Sequence, residues 1–178
     1  MSHFIIAQLV GFVAAAISVI VFQIDSRSKI LFLSIFSALL YALSFYLLRA
    51  YTGAALNLLG SIRCFTYYKV KPSRRTLWVY WLFLGLAVAL GLLTWAGPVS
   101  LLAIGGTAMY STGQWQKKTK NIRRTSLLAS PFWFSYNFIS KSYPGMLVEV
   151  LIFCSNLIGQ YRFDFRKLRL KKVSSRAS

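Results

Sequence analysis

YPGMLVEVLIFCSNLIGQY, residues 143–161, carries the only acidic residue set deep in a hydrophobic segment, Glu149. An isolated carboxylate at that depth is costly, so it must be protonated, paired or exposed to a water-filled cavity. Asn156 follows seven residues later, two helical turns on and on nearly the same face. An earlier stretch, YTGAALNLLGSIRCFTYYK, residues 51–69, opens on the same Tyr-x-Gly and places Asn57 where the later one has Glu149. The two read as copies of one duplicated unit.

Composition sets the class. Of 178 residues 57% are hydrophobic and 16% aromatic, and only three are acidic. That leaves too little polar surface to cover a soluble domain, so the apolar excess must face lipid. A net charge of +18 would suit nucleic acid in a soluble chain, but its placement argues against that partner. Eighteen of the 21 basic residues fall in alternate connections and in the carboxyl-terminal tail; only Arg49, Arg63 and Lys141 stand elsewhere. This is the positive-inside pattern of a chain that crosses a bilayer repeatedly.

Seven crossings are expected, over about residues 4–22, 30–48, 53–68, 77–95, 98–115, 126–140 and 143–161. No Lys or Arg precedes the first, and no cleavage site with a soluble domain follows it, so it reads as an uncleaved span with its amino terminus outside. The fourth is uniformly apolar, with Trp78, Trp81 and Trp95 towards its ends. The fifth is rich in small residues, from Gly105 to Gly113, which suits close helix packing. An odd number of crossings puts the tail in the cytoplasm, where its alternating apolar and basic residues suit either the anionic leaflet or plain solvation.

A shift of 92 positions lays Ile30 on Ile122, Tyr41 on Trp133, Phe45 on Asn137, Tyr51 on Tyr143 and Gly53 on Gly145. The fold class expected is therefore an all-α integral membrane protein of seven transmembrane helices, two parallel three-helix bundles joined by a linker helix. The parts are a first bundle at 4–69, the linker at 77–95, a second bundle at 98–162 and a basic cytoplasmic tail at 163–178. Two odd-numbered units lie parallel only if one extra crossing returns the chain, and the fourth helix supplies it.

This plan resembles that of the SWEET sugar transporters, whose parallel repeats are related by an axis along the membrane normal. The likeness implies cavity-facing aromatic and Asn pairs, Trp133 with Asn156 and Tyr41 with Asn57. The Pro-Gln pair of the wider PQ-loop group is missing: Gln23 follows Phe22 and Gln114 follows Gly113. Three further motifs are RAYTGAALNLLGSIR (49–63), WFSYNF (133–138) and YPGMLVEVLIFCSN (143–156). In order and spacing they resemble the YgjV family of bacterial inner-membrane proteins. That resemblance implies location and topology and no particular activity.

Arg63 is the one basic residue deep in a span, about six residues lower than Glu149 in the repeat frame, or about 9 Å along parallel helices. An intramembrane charge pair, Arg63 with Glu149, lining a polar cavity is one expectation. A packing clamp, or an Arg63 that snorkels to the headgroups, is the other. Trp133, Tyr136 and Asn137 share a face at i, i+3 and i+4, suited to stacking on a sugar or equally to bundle core. Pro131 in the same helix kinks it and favours a cavity. Asn57 and Asn156 also serve as interhelical glue.

Enzymatic chemistry has little to work with. His3 is the only histidine, Cys64 and Cys154 lack C-x-x-C spacing, and one embedded Glu makes no carboxylate pair. No cofactor and no metal are expected. Two classes stand: a transporter of a small polar solute, such as a sugar, through a cavity bounded by Tyr41, Asn57, Trp133, Tyr136, Asn137, Glu149 and Asn156; or a non-transporting membrane protein whose polar residues serve packing. The lipid bilayer is the expected partner, and the half-size repeat leaves room for a homodimer.

Overall fold

A computed structural model describes residues 2–165, and no strand occurs among them. The helices are α1 (Ser2–Phe22), α2 (Arg27–Leu47), α3 (Tyr51–Lys69), α4 (Leu77–Leu93), α5 (Val99–Trp115), α6 (Thr119–Ile139) and α7 (Tyr143–Gly159), the last running on as a π-helical turn over Gln160–Phe165. The basic tail from residue 166 onward lies outside the described residues. Each expected span corresponds to a helix. The main difference is α6, which starts at Thr119 instead of near 126 and so takes Arg123 out of the connection and into the helix. Hydropathy hides this start. Arg123 is fully buried, and its charge is met by Asp25 at 3.2 Å, a partner 98 residues away.

Over His3–Phe22 and Arg27–Leu47 the chain is long and apolar enough to cross a bilayer on length and composition alone. The other helices are shorter or more polar. α4, with 17 apolar-rich residues, rises about 26 Å, near the thickness of the hydrocarbon layer.

Packing runs α1 to α2, α2 to α3, α3 to α5, α5 to α6, α6 to α7 and α7 back to α1, a closed ring of six. α4 stands outside, against α3 and α5. Only a single stripe of it is buried, Val79, Phe83, Ala87 and Gly91, each four residues on from the last. Its other faces show Trp78, Trp81, Leu86 and Leu92 to the surroundings. Most of the outer surface is of this kind: Phe4, Leu9 and Phe12 on α1, Phe32 and Phe36 on α2, Leu147 and Phe153 on α7 are all exposed. In water so large an apolar belt would drive aggregation; in lipid it is the matching face.

Polarity is concentrated inside. Ser44 Oγ donates to Ala7 O at 2.8 Å and Ser37 Oγ to Ala14 O at 3.1 Å, so α2 is bonded along α1. Ser61 Oγ donates to Ile35 O at 3.1 Å and bonds α3 to α2. The close approach of α1 is possible because Ala7, Gly11, Ala14 and Ser18 form a strip of small side chains. These three hydroxyls are satisfied this way without any water in the bilayer.

Two corners repeat. After α2, Arg49 N–H donates to Tyr46 O and Ala50 N–H to Phe45 O; after α6, Lys141 N–H donates to Phe138 O and Ser142 N–H to Asn137 O. Both are Schellman corners, 92 positions apart, and both put a basic residue in the left-handed region, Arg49 at φ 59° and Lys141 at φ 54°. A side chain there is strained relative to glycine. Arg49→Gly and Lys141→Gly are each expected to stabilise the protein by about 0.5–1 kcal/mol, read as a higher unfolding midpoint in detergent.

One end of the bundle gathers the basic connections. Arg27 Nε donates to Gln116 O at 3.0 Å, Nη1 to Tyr67 O at 3.1 Å and Nη2 to Gln114 O at 3.2 Å. These are carbonyls at or just past the carboxyl-terminal ends of α3 and α5, which lack intrahelical donors and carry the negative end of the dipole. Arg123 Nη2 donates to Ile24 O at 3.3 Å just past α1, and its side chain runs beside Gly159 at the end of α7. One arginine therefore seats on the α3–α5 seam and the other on the α1–α7 seam.

Candidate functional site

All six ring helices, and not α4, line a central cavity of about 120 Å³. α2 brings Tyr41 and Phe45, α3 brings Asn57 and Arg63, α5 brings Thr107, Tyr110 and Gln114, α6 brings Trp133 and Asn137, and α7 brings Glu149. Towards the basic end the lining is apolar, with Phe22, Ile30 and Ile122. Six of the eight residues singled out in the sequence thus converge: Tyr41, Asn57, Arg63, Trp133, Asn137 and Glu149.

Tyr136 and Asn156 do not line it. The first three or four N–H groups of any helix lack intrahelical acceptors, and α3 has no side-chain cap of its own. Tyr136 answers that need: its hydroxyl accepts Gly53 N–H at 2.7 Å, which turns the ring away from the cavity and against Phe45 and Trp133. Asn156 is fully buried two turns beyond Glu149, outside the cavity lining. Asn57 is shared, since its Nδ2 donates back to Gly53 O at 2.9 Å while the residue lines the cavity.

Arg63 and Glu149 face the same space without forming an ion pair. The arginine is 4% exposed and its fork is taken by an amide: Nε and Nη2 donate to Gln114 Oε1 at 3.2 and 3.0 Å. Cys64 Sγ donates to the same oxygen at 3.3 Å. Glu149 is held on another wall, with Tyr41, Tyr110 and Ser130 around it, and its Oε2 has no hydrogen-bond partner.

Several other polar atoms are buried here without partners: Tyr41 Oη, Thr107 Oγ1, Trp133 Nε1 and Asn137 Oδ1. Buried polar groups are ordinarily satisfied, so such a cluster around a hollow marks groups held ready for water or a solute. One wall is aromatic. Phe45 stacks on Trp133 at 6.2 Å and 26°, and Tyr41 lies 6.1 Å from Phe45. Pro131 stands within α6 one turn before Ser135, whose Oγ takes up the proline carbonyl at 2.9 Å.

The residues missed from sequence are Gln114, Thr107, Tyr110 and Ser130. Gln114 is visible there as a glutamine without its proline at the end of a helix of small residues; nothing along the chain links it to Arg63.

No solved structure matches the chain, so the likeness to SWEET transporters has no structural counterpart to rest on. The chain is similar to the inner membrane protein YgjV of Escherichia coli (strain K12), 29% identical over 164 residues that cover 92% of this chain and 87% of that relative. A family model described as bacterial inner membrane protein matches residues 5–167, which takes in every helix of the ring, and the chain belongs to this YgjV family of bacterial inner membrane proteins.

Proposed function

We propose that the protein is a small-molecule transporter of the bacterial inner membrane, with the ring cavity as its solute site. The observation that carries this reading is the set of uncommitted buried polar atoms, Glu149 Oε2 among them, around a hollow walled by all six ring helices. In this reading α1–α3 and α5–α7 are the two halves of a three-plus-one-plus-three repeat, and α4 returns the chain between them. The halves meet on two seams, α1 with α7 and α3 with α5, and relative rocking about those seams would open the cavity to alternate sides. The basic end is cytoplasmic by the positive-inside bias, which leaves the amino terminus outside.

A rival reading has support from Tyr136 and Asn57, whose polar atoms are used on the backbone of α3. On that reading the polar residues only hold a compact bundle. Flux decides between them. Purified protein in liposomes should take up a labelled small polar solute faster than empty liposomes, and Trp133→Ala should lower the rate at least tenfold while leaving the protein folded. Equal flux with and without protein across sugars, amines and amino acids would favour the rival.

A further inference from the structure

The cavity presents a cation, Arg63, and a carboxyl, Glu149, that do not meet. Among the described residues no carboxylate lies within ion-pairing distance of Arg63, whose acceptors are the neutral Gln114 amide and, at 3.5 Å, Thr107 O. A guanidinium has five N–H donors in a planar fork, so Arg63 keeps donors to spare. Across the hollow, Glu149 Oε2 accepts nothing. The cation has been taken out of water at a cost that a neutral neighbour only partly offsets, and the buried carboxyl gains a reason to ionise only when a cation comes beside it.

The surroundings of the two groups differ in kind. Beside Glu149 stand the rings of Tyr41 and Tyr110, with Trp133 on the same cavity. Aromatic faces next to a carboxylate suit a cation. Beside Arg63 stand Gln114 and Thr107, and a carboxylate reaching the guanidinium there would make charge-assisted bonds. A neutral solute or a simple amine would leave the arginine unmatched, and a simple carboxylate would leave the carboxyl without the cation that ionises it.

We infer that the cavity's solute is a small zwitterion, its ammonium end between Glu149 and the tyrosines and its carboxylate end on Arg63, nearer the basic end of the bundle. This rests on the transport reading only for what happens after binding. A hollow of about 120 Å³ suits a solute of few heavy atoms, such as the smallest amino acids.

Titration of the purified protein, followed by tryptophan emission and calorimetry, tests this with matched probes: glycine, β-alanine and γ-aminobutyrate as zwitterions, ethylamine, propionate and glycerol as the cationic, anionic and neutral controls. At least one zwitterion should bind tenfold or more tighter than every control. Glu149→Gln should abolish that preference and leave propionate the equal of the zwitterion; Arg63→Lys, which keeps the charge and loses the fork, should weaken zwitterion binding at least tenfold. Glycerol or ethylamine binding as tightly as every zwitterion, or no probe binding at all, overturns the inference. Flux of a neutral solute without zwitterion binding would sink it and leave the transport reading standing, whereas zwitterion binding without any flux would do the reverse.

Discussion

Gly106→Val is expected to destabilise the protein by about 3 kcal/mol and to disorder the cavity wall at the same time. Gly106, on α5, faces α6 at the point where Trp133 crosses. A β-carbon on it would lie 2.6 Å from the indole Cδ1 and 2.7 Å from Nε1, closer than such atoms can come. The indole cannot step aside within the wall. It is 7% exposed, stacked on Phe45 and met edge-on by Tyr136 at 5.6 Å, and Tyr136 is itself tied to Gly53 N–H. The free space lies in the cavity, so the ring must either enter it or push α5 off α6. Tryptophan emission and the unfolding midpoint in detergent should therefore move together. Gly85→Val is the control: nothing lies within 4 Å of its β-carbon position, on the one helix outside the ring. It should change the midpoint little, and a Gly106→Val protein as stable as that control would show that the two helices do not pack as described.

The sequence shows the helices plainly because lipid-facing residues need only be apolar, and runs such as 77–93 leave no alternative. It shows much less of how they pair. Glu149 was conspicuous as a lone carboxylate in apolar sequence, and Asn57 and Trp133 followed from the repeat; all three reach the cavity. Tyr136 has the same periodicity as Trp133 and Asn137 yet faces away, because an unmet N–H at the start of α3 decides its orientation. The beginning of α6 was hidden for a related reason. Arg123 resembles any loop cation until Asp25, in the connection between α1 and α2, is placed beside it. Of the two readings of Arg63, paired with Glu149 or indifferent to it, no ion pair between them occurs and the fork bonds Gln114: oppositely charged residues attract attention in a sequence, whereas a glutamine amide that ends a distant helix does not.

That partner supplies the other large effect. Gln114→Leu is expected to cost about 2–4 kcal/mol, most of it through Arg63, since it withdraws the acceptor of two guanidinium donors and strands a buried cation. The loss of the Cys64 thiol bond adds little, because sulfur is a weak donor. Arg63→Met alone leaves a neutral amide oxygen without its arginine, a smaller penalty of about 1–2 kcal/mol. The double substitution removes both polar groups and puts an apolar side chain in each place, so its stability should lie well above that of Gln114→Leu alone. A coupling of about 1–3 kcal/mol in the cycle, measured as unfolding midpoints in one detergent, is the expected result. Additive single effects would mean that Arg63 draws its compensation from elsewhere, Glu149 being the remaining acid on the same cavity. The cycle thus separates an arginine held in place by an amide, with its charge left over for a solute, from one already neutralised by the carboxylate. Only the first leaves the arginine and the carboxyl of the cavity uncommitted at once.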